Sequence, residues 1–154
     1  MSNFPILPKK EVLTTPRLVL RPLIDEDIHF GVDLLMNKEI KQTYMLPDFE
    51  TVMDAGAFFT KLQLLSINDT HYFYGIFYMD ELVGFINDVE ISDDTIEVGY
   101  VIHPKHHNRG FATEALRAMI DELYRVGFRC VKCGYFQGND ASRRVMEKSG
   151  MKKN

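Results

Sequence analysis

At 154 residues the chain is long enough for one domain with a substantial core and short for two. Its apolar fraction of 45% and charged fraction of 26% are those of an ordinary globular protein, and the net charge of −4 argues against a nucleic-acid partner and fits a cationic or amine substrate. No apolar run reaches the ~18 residues that a membrane span needs, and Lys9-Lys10-Glu11 stands where a signal peptide would carry its apolar core. The expectation is a cytoplasmic protein with no membrane partner.

Residues 1–14 read as a loose lead-in. Arg17 to Arg21 alternates, with Leu18 and Leu20 on one face, which predicts a first strand. Asp25-Glu26-Asp27 supplies the acidic first turn of a helix running to about Met36. Lys38 to Phe49 reads as a loop carrying Tyr44, Met45, Leu46 and Pro47. A second helix, about Thr51 to Leu65, follows from Val52, Ala55, Phe58, Phe59 and Leu62 at helical spacing. Strands at His71–Met79 and Leu82–Ile91 are joined by a hairpin at Asp80-Glu81, and the turn Ser92-Asp93-Asp94 leads into a strand at Thr95–Ile102. A β-meander therefore precedes a parallel unit: strand, helix from Gly110, strand from Arg129. The order β-α-α-β-β-β-α-β-α predicts one α/β (mixed α+β) domain over residues 1–154, a mixed twisted sheet with helices on both faces.

The most informative stretch runs from Glu97 to Ala115. A β-branched strand ends at Pro104, a polar turn follows, and a helix begins at or just after Arg109-Gly110. Ala112, Ala115, Leu116, Met119, Ile120 and Leu123 form its apolar stripe, while Glu114, Arg117, Asp121, Glu122 and Arg125 fall on the other side and Gly127 ends it. A helix start bares backbone N–H groups at the positive end of the macrodipole, which suits a phosphate or diphosphate. Gly110 permits positive φ or close approach, Ala112 leaves room, Arg109 adds a forked cation and Thr113 a hydroxyl. No Gly-Lys-Ser/Thr is present, so this is not a P-loop. The same spacing also fits a plain strand-to-helix turn in which Gly110 serves only the turn.

Two metal or redox readings are weighed and set aside. Cys130 and Cys133 form a single C-x-x-C inside a predicted strand, where an odd separation sends the side chains to opposite faces. His103, His106 and His107 lack a nearby carboxylate to complete a ligand set, so they read as a polar turn over an anion site and no metal is expected.

The run His107-Asn108-Arg109-Gly110-Phe111-Ala112-Thr113-Glu114-Ala115-Leu116 resembles the acetyl-CoA loop of the GNAT superfamily of N-acetyltransferases, whose pattern is Gln/Arg-x-x-Gly-x-Gly/Ala before a helix. His107 stands where that pattern has Gln or Arg. Asn139 to Met151 resembles the family's later Asn-x-x-Ser/Ala…Glu-Lys-x-Gly-Phe helix, and Thr15-Pro16-Arg17-Leu18-Val19-Leu20-Arg21-Pro22 is similar to the opening strand of its ribosomal-protein N-terminal acetyltransferase subgroup. The resemblance implies a GNAT-like fold and acetyl-CoA (coenzyme A) as acyl donor. It implies donor contacts from Val101, Ile102 and His103, where a backbone N–H would also meet the oxyanion, and from His107, Asn108, Arg109, Gly110, Phe111, Ala112 and Thr113. Asn139 is implied on the pantetheine arm. Glu97 is the candidate general base, with Asp88 and Glu90 as weaker rivals read as a solvated hairpin. The family's usual leaving-group tyrosine is replaced by Met146, and Ser142, one turn earlier, takes the catalytic position beside it. Lys38 to Phe49 is the implied acceptor region. The sequence stops four residues past Gly150, before the C-terminal strands expected of the family, which implies a truncated form or a homodimer that borrows the missing wall.

Acetyl transfer to an amine requires a neutral amine, and an α-amino group (pKa about 8) asks less of a base than a lysine (about 10.4). The implied activity is transfer of an acetyl group to a primary amine, either a protein N-terminal α-amine or a small molecule. The opposing reading is a non-catalytic acyl-CoA-binding or regulatory module, and a third is an enzyme for longer acyl donors.

Overall fold

The computed structural model describes residues 7–43, 47 and 49–133. Within them lie β1 (Leu13–Thr14), β2 (Leu18–Arg21), α1 (Ile28–Leu35), α2 (Lys38–Thr43), α3 (Val52–Ser66), β3 (Tyr74–Tyr78), β4 (Glu81–Ser92), β5 (Thr95–Ile102), α4 (Phe111–Val126) and β6 (Cys130–Cys133). The six strands form one sheet in sequence order. Every pairing is antiparallel except β5 with β6, which is parallel. The mixed sheet expected from the sequence is present. No helix among the described residues is long and apolar enough to cross a membrane.

Strand alternation divides the interior into two cores. Leu18, Leu20, Ile76, Ile86, Ile96, Val98 and Ile102 face α4, where Phe111, Ala115, Leu116, Met119 and Leu123 close the first core. Leu23, Phe77, Leu82, Phe85 and Val101 face the other way, against Leu34 and Leu35 of α1 and Ala55, Phe59 and Leu62 of α3. The β3–β4 hairpin turns at Met79 and Asp80, both with positive φ (50° and 65°), the geometry of a two-residue type I′ turn. Thr51 caps α3 by accepting from the Asp54 N–H at 3.1 Å.

Three local expectations are corrected. Lys38–Thr43 is helical rather than a loop, because Asn37 Oδ1 accepts from the N–H groups of Glu39 and Ile40 (3.0 and 3.2 Å) and Ile40 is buried in the second core. The lead-in is tied down: Leu13 and Thr14 pair with β2 as a further strand, and the Leu7 N–H donates to Val126 O at 3.1 Å. Glu122, assigned to the polar side of its helix, is buried. It accepts from the Lys10 N–H (2.6 Å) and from Arg125 Nε and Nη2 (2.6 and 2.8 Å). Burial alone would raise its pKa, but these donors outweigh burial and hold it below the ordinary value.

Candidate active site

The register of β4 and β5 decides which main-chain groups of β5 are available. His103 N–H donates to Val83 O at 2.8 Å, so the pair 83/103 is a hydrogen-bonded one. Alternation then makes Phe85/Val101 hydrogen-bonded and Gly84/Ile102 and Ile86/Tyr100 not. The N–H and C=O of Ile102 and Tyr100 therefore turn toward the β6 side, while those of Val101 and His103 are consumed by β4. The expected oxyanion donor, one backbone N–H near Val101 to His103, is thereby narrowed. Of those three, Ile102 alone turns its amide to the right edge. The pairing with β6 is described as far as Val98↔Cys133.

After Ile102 the chain makes a short 3-10 turn at Pro104–His106 and passes through two left-handed residues, Asn108 (φ 63°) and Gly110 (φ 79°), into α4. Gly110 is the N-cap and has no side chain to offer. Glu114 N–H is the first to bond back, to Gly110 O at 3.0 Å. Among the described residues the N–H groups of Phe111, Ala112 and Thr113 have no partner, and they point along the helix axis out of its N-terminus.

The side chains of this turn are arranged to hold it. His103 Nδ1 accepts from the Lys105 N–H (3.2 Å), which leaves the ring proton on Nε2 to face Asp33 Oδ2 at 2.9 Å on α1. Burial pushes the His103 pKa below its ordinary value, although Asp33 pulls the other way. His106, buried, accepts at Nδ1 from Arg109 Nη1 (3.2 Å), so its Nε2 donates to Glu81 Oε2 (2.9 Å). His107 Nε2 donates to Ile102 O at 2.8 Å. Arg109, the forked cation expected from the sequence, is exposed and leans on its neighbours. Its guanidinium lies 5.0 Å from the ring centres of both Tyr78 and Phe111, and its charge is shared with His106.

Glu97 lies on the sheet face opposite α4, half-buried, with Glu90 beside it on β4 and Lys132 on β6. At ~3.3 Å per residue it stands roughly 16 Å along β5 from Ile102. Asp88 is not a solvated acid: it is engaged by His71 Nδ1 (3.0 Å) and the Tyr72 N–H (2.8 Å), which makes it a structural anchor and a poor rival as base. Cys130 is exposed, whereas Cys133 packs with Val131 against the first core, so the two thiols face opposite ways as expected. Burial, with the charge of Glu97 adding to it, pushes the Cys133 thiol up to about 12. Among the described residues no three His, Cys, Asp or Glu side chains come together as a metal site. Asn139, Ser142 and Met146 lie outside the described residues. The sequence reading missed Gly84, whose role shows only in the close approach of β4 and β5, and Arg17, described below.

The model of the acetyltransferase (GNAT) domain matches residues 17–152. The chain belongs to the GNAT acetyltransferase family. Its relatives include an uncharacterized N-acetyltransferase of Bacillus subtilis, YoaA, which is 28% identical over 147 residues, 92% of this chain and 83% of that one. Among solved structures, a GNAT acetyltransferase from Bacillus anthracis superposes with a TM-score of 0.78 at 24% identity, covering 93% of this chain and 84% of the other. RimL, a ribosomal L7/L12 α-N-protein acetyltransferase solved in complex with coenzyme A, superposes with a TM-score of 0.76 at 19% identity, covering 90% and 82%. These structural likenesses establish the fold, and the family is one of acetyltransferases.

Proposed function

We propose that the protein transfers an acetyl group from acetyl-CoA to a primary amine, a protein N-terminal α-amine or a small molecule, by direct attack on the thioester. The observation that carries this reading is the bared set of amides at Phe111, Ala112 and Thr113, set one short turn beyond Ile102, whose amide turns to the β6 side of β5. The coenzyme A complex of RimL supports the same donor.

In this scheme the α4 amides and dipole hold the diphosphate, and the outward edge of β5 lies along the pantetheine arm. The neutral amine nitrogen attacks the thioester carbonyl carbon, a C–N bond forms, and the Ile102 N–H steadies the oxyanion. Collapse breaks the C–S bond and releases the thiolate, whose pKa, near 8.5 for a thiol, lets it leave without a strong acid. Glu97, roughly 16 Å along β5 from Ile102, takes the amine proton through a chain of waters. Asn139 on the pantetheine arm and Ser142 near the leaving sulfur complete the proposed set.

The test is thiol release by the purified chain with acetyl-CoA across a panel of peptides and small amines. Release with at least one amine is expected, with Glu97→Gln slower by about a hundredfold at pH 7. Gly110→Val should abolish coenzyme A binding measured by calorimetry while the circular-dichroism spectrum is kept. Coenzyme A binding without thiol release across the panel would sink the enzyme and favour a binding module. Faster turnover of propionyl or succinyl donors would change the acyl group but keep the mechanism.

A further inference from the structure

The motif Thr15-Pro16-Arg17, at the entry to β2, has no part in the chemistry above, yet the fold brings it against the first turn of α4. Glu114 is the meeting point. Its Oε1 accepts from Arg17 Nε (2.8 Å), and its Oε2 accepts from the Arg17 N–H (2.9 Å) and from Thr15 Oγ1. Thr15 Oγ1 in turn accepts from the Leu18 N–H at 2.9 Å, which locks the motif to the start of β2. Held this way, the Arg17 guanidinium lies 4.8 Å over the Phe111 ring and donates from Nη1 to the carbonyl of Arg109 at 2.7 Å. It also stands close enough to Gly110 that a Cβ there would meet Nη2 at 3.1 Å.

The Arg109 carbonyl matters because of where it is. It belongs to the peptide between the two left-handed residues of the turn, outside any strand ladder or helix. Asn108 holds φ 63° at a cost of order 1–3 kcal/mol, a conformation that lasts only where neighbours over-determine it. A rotation of the Arg109–Gly110 peptide would swing a carbonyl dipole toward the amides of Phe111 to Thr113 and spoil an anion site.

We propose that Arg17 is a positioning residue for the donor: fixed by Glu114 and Thr15, it pins the Arg109 carbonyl and keeps the α4 amides converged on the diphosphate. This deepens the reading of the turn as the diphosphate site and rests on it. Arg17 acts through the turn, at one wall of a groove of about 980 Å³ that opens at Gly110 and Thr113 and runs along the outer side of α4 to Arg125.

The experiment compares two donors, acetyl-CoA and acetyl-pantetheine, which carries the same thioester without the diphosphate. Arg17→Ala should raise the KM for acetyl-CoA and the Kd for coenzyme A about tenfold, the worth of one charge-assisted hydrogen bond. Its kcat should stay within about twofold, and its kinetics with acetyl-pantetheine should match wild type. Arg17→Lys keeps the stem over Phe111 and one of the two polar contacts, so it should fall between, and it carries the comparison if Arg17→Ala does not fold. Wild-type affinity for coenzyme A in Arg17→Ala, or an equal loss with acetyl-pantetheine, would overturn the positioning role and leave the site reading standing. A wild-type chain that gives no heat with coenzyme A would overturn both.

Discussion

Gly84 offers a prediction whose sign depends on the architecture at the end of β5. Replacing a strand glycine by alanine ordinarily stabilises by roughly 0.5–1 kcal/mol where the methyl fits. At Gly84 it does not fit. A Cβ there would overlap the carbonyl oxygen of Val101 and lie 3.1 Å from Ile102 Cα and 3.0 Å from Ile102 Cδ1, against an optimum of about 3.5–4.0 Å for carbon atoms. The Ile102 side chain can turn away, but the two backbone atoms cannot. β5 must then retreat from β4 by on the order of 1 Å, stretching the Val83–His103 hydrogen bond of 2.8 Å and the adjoining Phe85–Val101 pair. Overpacking costs about 1–3 kcal/mol and each weakened bond up to about 1 kcal/mol. A loss near 3 kcal/mol is expected, which for a domain of this size lowers the Tm by roughly 6–12 °C. Gly56→Ala is the control, since its nearest neighbour would be Ile28 Cδ1 at an ordinary 3.8 Å and helix propensity favours alanine by up to about 1 kcal/mol. Thermal unfolding of both variants decides the matter. A Gly84→Ala protein as stable as wild type would refute the close-approach argument.

Phe111→Ala removes a fully buried ring that touches Tyr78 (4.7 Å between centroids), His106 and both arginines of the turn. A loss of about 3–5 kcal/mol is expected in denaturant titration, with coenzyme A affinity falling as the turn loosens. Alkylation at pH 8 followed by mass spectrometry should label exposed Cys130 and spare Cys133, whose thiol is held protonated up to about 12; equal labelling would contradict its burial. Burial alone would raise the pKa of Glu114, but the hydrogen bonds from Thr15 and Arg17 prevail and lower it. The stability it contributes is therefore present above the ordinary glutamate value near 4.3 and is lost as pH falls through the depressed one. Glu114→Gln should cost stability at pH 7, and its gap to wild type in urea titrations should close as pH falls below about 4; a gap independent of pH would refute the assignment.

Much of this was legible in the sequence for plain physical reasons. The apolar stripe from Ala112 to Leu123 fixes α4 because a 3.6-residue period has one packing solution, and the Gly110 and Gly127 boundaries appear as left-handed or near-left-handed caps. Leu18 and Leu20, alternating, are completely buried on one face. Short elements were harder. β1 has two residues and α2 six, too few for periodicity to speak, although Asn37 just ahead of Lys38-Glu39-Ile40 was a cap signal that could have been read. The partners of Asp88 and Glu114, and the Lys10 N–H on Glu122, escaped because they come from residues 16 to 112 positions away, which no local window reaches.

The fate of the charged side chains in the turn bears on how it would hold an anion. His103, His106, His107 and Arg109 look on paper like a cationic cluster, yet each is spent on the protein itself: on Asp33, on Glu81, on the Ile102 carbonyl, on the rings of Tyr78 and Phe111. Arg17, the other arginine at this corner, is divided between Glu114 and the Arg109 carbonyl. What remains unspent is main chain, the N–H groups of Phe111, Ala112 and Thr113 at the positive end of α4. Main-chain amides cannot rotate away as a lysine can, so their usefulness depends wholly on the turn being held in one shape. That is a reason for so many side chains to be committed to bracing rather than to contact. It also explains why residues as far off in sequence as Thr15 and Arg17 bear on a site around residue 110.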